Sequence, residues 1–161
     1  MTIVRRGVLI GLVAALLGGA RVSAQVTVAL AGGPVAFATP SGTDFATGSI
    51  AATNTVTFTV NQTGGGANVQ HTANVAIHAN AATLGGGKAI GDLQWSSANN
   101  PGVWNSISTT DALIESRPMK KNSLNDPWTE TVSFRMLLHW ASDAPATYGV
   151  GITFTLTVTT P

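Results

Sequence analysis

The chain has 161 residues, with eight Lys and Arg, seven Asp and Glu, and no cysteine. So few basic residues exclude a nucleic-acid footprint, which needs a basic patch or stripe. The missing cysteines exclude both a disulfide framework and lipid attachment through a cysteine.

Residues 1–24 have the form of a secretory signal peptide. Arg5 and Arg6 precede an apolar run over residues 7–20, and Val22-Ser23-Ala24 fits the small-residue cleavage rule. The run is shorter than the ~20 apolar residues of a membrane span, and Arg21 breaks it. The expected mature domain, residues 25–161, keeps Lys88, Arg117, Lys120, Lys121 and Arg135 against the seven carboxylates, a net charge of −2. By length it is a single domain, secreted and without a membrane span once the signal is removed.

In chain order, Gln25, Val26, Thr27, Val28, Ala29 and Leu30 alternate as a strand, which Gly32-Gly33-Pro34 ends. Val35 and Phe37 suggest a short strand, residues 40–48 a loop, and residues 49–52 another short strand. Residues 54–61 (NTVTFTVN) place Val56, Phe58 and Val60 on one face and threonines on the other, the pattern of a half-buried strand. Residues 68–78 read as its hairpin partner. Residues 89–96 and 103–108 flank Asn99-Asn100-Pro101-Gly102, and Pro-Gly supplies the central pair of a type II turn. Residues 112–116 form a short strand, and the basic stretch 117–127 reads as a loop. Val132, Phe134, Met136, Leu138 and Trp140 then recur at every second position, as do Ile152, Phe154, Leu156 and Val158. The two runs read as a closing hairpin with Trp140 in the core. No stretch after the signal has a 3.6-residue apolar stripe, so the spacing gives an all-β sandwich or barrel.

Catalytic and metal-binding signatures are missing from the sequence. His71, His78 and His139 form no ligand motif, no G-x-S-x-G elbow is present, and the seven carboxylates lie mostly at turns and strand ends. The expectation is a protein that is not an enzyme and has no cofactor or metal. Trp104 and Trp128 lie beside turns and are the candidates for stacking on sugar rings. Tyr148, after Pro145 at the start of the last strand, has the position of a corner tyrosine that hydrogen-bonds to upstream backbone in immunoglobulin-like sandwiches. Residues 25–30 could also serve as a donated strand that completes a neighbour's sheet.

Asp92-Leu93-Gln94-Trp95, Val103-Trp104, Phe134-Arg135-Met136-Leu137-Leu138 and Ala144-Pro145-Ala146-Thr147-Tyr148 resemble a recurrent type of uncharacterised secreted bacterial β-sandwich protein. The ending is also similar to that of spore-coat-U-like and fimbrial-subunit domains, although their usual cysteines are missing here. The resemblance implies an immunoglobulin-like antiparallel β-sandwich of about eight strands and a surface-filament role; it brings no catalytic residues. The expected function is a secreted structural or interaction protein at the cell surface, pairing strands with itself or another surface protein. The alternative is a non-catalytic carbohydrate-binding module for a polysaccharide.

Overall fold

A computed structural model of the protein describes residues 26–64, 68–144 and 146–159. The expected signal segment, Gln25 and Pro145 lie outside the described residues. The strands are β1 (Val26–Ala31), β2 (Ser49–Ala51), β3 (Val56–Gln62), β4 (Gln70–Ala79), β5 (Leu93–Ser97), β6 (Asn105–Ser106), β7 (Ala112–Lys120), β8 (Trp128–Leu137) and β9 (Ile152–Thr159). A short helix, α1 (Gly42–Thr47), and a 3-10 turn at Ile90–Asp92 complete the elements. One sheet runs β1-β3-β8-β5-β6, with β2 also on β8, and the other runs β7-β4-β9. All pairings are antiparallel, and the two sheets make the β-sandwich expected from the sequence.

The central strand is β8. On one side it pairs with β3 (Val56↔Val132, Val60↔Trp128) and, further along, with β2 (Ile50↔Met136). On the other it pairs with β5 (Leu93↔Met136, Trp95↔Phe134). Val132, Phe134, Met136 and Leu138 are buried as the alternation requires. A slip of one residue would put Thr131, Ser133 and Arg135 inside instead, and would lose about 1.5–3 kcal/mol for each large apolar side chain expelled. The opposing sheet contributes Ala73, Val75, Ile77 and Ala79 from β4, Met119 from β7 and Phe154 from β9.

The sequence-derived partners need correction in two places. β8 and β9 are not a hairpin, because they belong to opposite sheets and residues 138–151 cross between them. β3 and β4 are likewise split, with β3 between β1 and β8, and β4 between β7 and β9. Alternation says that a strand has one core face; a sandwich supplies two sheets on which that face can be satisfied. The third expected hairpin is present. β5 and β6 pair through Gln94↔Ser106 and Trp95↔Asn105. Their turn is closed by Val103 N–H donating to the Asn100 carbonyl, with Gly102 at φ +82° as a type II turn requires.

Two segments expected as loops are regular. Residues 42–47 form α1 because Ser41 and Asp44 make a reciprocal cap: the Ser41 hydroxyl accepts from the Asp44 N–H, and the Asp44 carboxylate accepts from the Ser41 N–H at 2.7 Å. The Ser41 hydroxyl also donates to the Asp44 carboxylate at 2.7 Å, and that bond, followed by the one from the Ser41 N–H, holds the Asp44 carboxyl below its ordinary value. Strand β7 runs on through Arg117, Pro118 and Lys120, which were read as loop. It can carry a proline because it is an edge strand. It also bulges: Val75 faces Glu115 but Ala76 faces Leu113, so Ile114 is the extra residue.

Candidate functional site

The expected pair of stacking tryptophans does not form a platform. Trp128 is 4% exposed: β8 begins at Trp128 itself, and the inward register of Val132 extends back through Glu130 to it. Its ring meets Phe58 edge-on at 5.5 Å between centroids and has the Arg117 guanidinium 4.8 Å above it. Trp140 shows the converse correction. The strand ends at Leu137, so Trp140 leaves the core and is 76% exposed, edge-on to Phe45 at 4.9 Å. Trp104 is half-buried on the outer side of the β5–β8 pair. The guanidinium of Arg135 lies 4.5 Å over its ring and is oriented by a 2.8 Å bond from Arg135 Nε to Gln94 Oε1. One face of Trp104 is therefore already occupied.

Tyr148 donates its hydroxyl to the Ala144 carbonyl, four residues upstream. Val26 to Leu30 pair with β3 of their own chain. The histidines are dispersed. His71 is buried at the start of β4, His78 Nδ1 lies 2.6 Å from Asp111, and His139 Nε2 lies 3.1 Å from Asp92. Among the described residues no three His, Asp or Glu side chains are grouped to hold a metal ion.

Two polar clusters escaped the sequence reading. At one end of the sandwich the Lys88 side chain is 1% exposed, with Nζ 2.7 Å from both oxygens of Asp143 and 3.1 Å from Asp92. Asp143 also accepts the His139 N–H at 2.9 Å. Burial alone would raise the Asp143 carboxyl; the bonds from Lys88 and the His139 N–H, with the Coulombic attraction of Lys88, outweigh it and bring it below its ordinary value. This cluster ties residues 88–92 to the crossing segment 138–151. Elsewhere, buried Glu130 accepts the Asn99 N–H at 3.0 Å and lies 3.6 Å from Arg117 of the opposite sheet. Glu130 has the inward parity of β8, the one signal that could have located it.

The two flanks of the sandwich differ. On one, the edge strands β1 (VTVALA) and β9 (ITFTLTVT) approach each other. Neither contains a charge, a proline or a glycine. Their core-facing residues are incompletely covered: Val26, Val28, Ile152, Leu156 and Val158 are half-buried and Leu30 is exposed. Gly32 turns the chain away from β1 at φ +99°, and a Cβ there would lie 2.5 Å from the Thr55 carbonyl oxygen. On the other flank β6 has only two residues, and β7 carries Glu115, Arg117, Pro118, Lys120 and the bulge. Short strands, charge, proline and bulges are the features that keep an edge from accepting another strand.

No family model matches the chain, and no curated protein or solved structure is similar to it at a significant level. No helix among the described residues is long and apolar enough to cross a membrane.

Proposed function

We propose that this chain is a secreted structural or interaction protein of the cell surface that works by pairing its strands with those of another copy or another surface protein, as a filament subunit does. The observation that carries this reading is the unguarded β1/β9 flank. It presents two rows of backbone hydrogen-bonding groups beside a half-covered apolar seam. An added strand would pair with one edge and cover Val28, Leu30, Leu156 and Val158, the pattern of β-strand addition. The guarded β6/β7 flank supports the same reading, since protection placed on one side only leaves the other competent to pair.

The test is light scattering after size exclusion on residues 25–161, compared with an Ala29→Lys/Thr157→Lys variant. Both positions are exposed on the two edges. The parent is expected to assemble as its concentration rises, and the variant to stay monomeric with an unchanged circular dichroism spectrum. A parent that stays folded and monomeric throughout would remove the proposal.

A further inference from the structure

Strand pairing at the unguarded flank has to satisfy two edges at once. β1 ends the larger sheet and β9 ends the smaller, and both lie on the same flank. A strand hydrogen-bonds only in the plane of its own sheet. A single extended segment can therefore pair with β1 or with β9, but not with both. The edge it left would keep its open backbone groups and its side of the half-covered seam. A second copy of the chain brings two edges with the same separation, one for each.

We infer that the occupant of this flank is a second copy of the chain, related by a two-fold axis through both sheets, so that β1 pairs with β1 and β9 with β9 in one closed dimer. The inference rests on the strand-pairing reading and specifies its partner. A two-fold axis normal to a sheet reverses strand direction and keeps the faces, so each edge meets its own copy antiparallel, core side beside core side. The faces also restrict register. Val28 can oppose the partner's Val28, or Ala29 the partner's Ala29, but a slip setting Val28 against Ala29 would mix the faces. Val26, Val28, Leu30, Ile152, Leu156 and Val158 then meet the partner's seam, and two half-covered seams become one continuous core.

Self-pairing sets like against like, which a charged edge would not tolerate. The outward positions of β1 are Thr27, Ala29 and Ala31, and those of β9 are all threonine. The opposite flank sets the size of the assembly. β6 is two residues long, and β7 carries charges, Pro118 and the bulge, so neither offers an edge for a third copy. Open growth needs complementary edges on different sides of the molecule; here both edges are spent in one interface. Pairing stops at two, and a filament would be built from dimers.

The experiment is sedimentation equilibrium of residues 25–161 over a wide concentration range, with Ala29→Lys, Ala29→Glu and Thr157→Glu variants whose fold is checked by circular dichroism. The mass is expected to rise from one chain to two and stop there. Each variant should weaken the dimer about fivefold, since like charges then face each other. An equimolar mixture of Ala29→Lys and Ala29→Glu should recover at least the parent's affinity, because β1 meets β1. Long side chains reach diagonal as well as direct partners, so this holds whether Val28 or Ala29 lies on the axis. A mass that climbs past two chains would overturn the closed dimer and leave strand pairing standing. A monomer at every concentration would overturn both. A mixture as weak as its two components would overturn the two-fold arrangement, and recovery by Ala29→Lys with Thr157→Glu in its place would assign head-to-tail pairing.

Discussion

Replacing Lys88 with methionine removes the cation from a site built around it. The side chain is 1% exposed, and Asp143, at 8%, receives both of its short bonds. Removing one partner of a buried pair typically costs about 3–5 kcal/mol. Here the cost is smaller, about 2–4 kcal/mol, because the remaining carboxylates reach some solvent and Asp143 keeps the His139 N–H. With an unfolding entropy of about 2.1 cal/mol/K per residue, a domain of roughly 130 residues loses about 10 °C of Tm for 3 kcal/mol. Thermal unfolding followed by circular dichroism measures this directly. The double variant Lys88→Met/Asp143→Leu discriminates further. An apolar pair of similar volume often replaces a buried ion pair without loss, so it should melt within about 4 °C of the parent while each single variant falls well below. A Lys88→Met protein melting within about 2 °C of the parent would refute the reasoning, as would a double variant whose loss equals the sum of the singles.

The same cluster sets an acid dependence. Because the folded-state carboxyl of Asp143 lies below its ordinary value of 3.8, its contribution is full above that value and is lost as pH falls through the lower folded-state value. Tm measured from about pH 5 to pH 2 should therefore fall more steeply for the parent than for Asp143→Asn, and parallel curves would count against it. Tyr148→Phe removes the hydroxyl bond to Ala144 and is expected to cost about 1 kcal/mol, read as a lower urea midpoint with an unchanged slope. An unchanged midpoint would assign that bond no role in stability.

Much of the fold was legible because alternation is a local property. The buried faces of β3, β4 and β8 follow from residues two apart, and the β5–β6 turn follows from Pro101-Gly102, where only a residue tolerant of positive φ fits. Parity could not say where a strand stops. Trp128 and Trp140 share the register of Val132, yet one is core and the other is solvent-exposed because β8 spans Trp128–Leu137 and no further. The helix α1 had a signal in Ser41 and Asp44, but six residues carry no amphipathic stripe to draw attention to it.

What the sequence by itself determined is which face of each long strand is apolar, that the domain is all-β, and that its threonine-rich strands carry almost no charge. Tertiary structure alone decided which strands are neighbours. The same inward face is satisfied by either sheet of a sandwich, and backbone hydrogen bonding does not read side chains. That choice put β1 and β9 together on one flank and the guarded β7 on the other. It also brought Lys88 to Asp143 across 55 residues of chain. Each of these sites joins segments that are distant in sequence, so no local pattern encodes it.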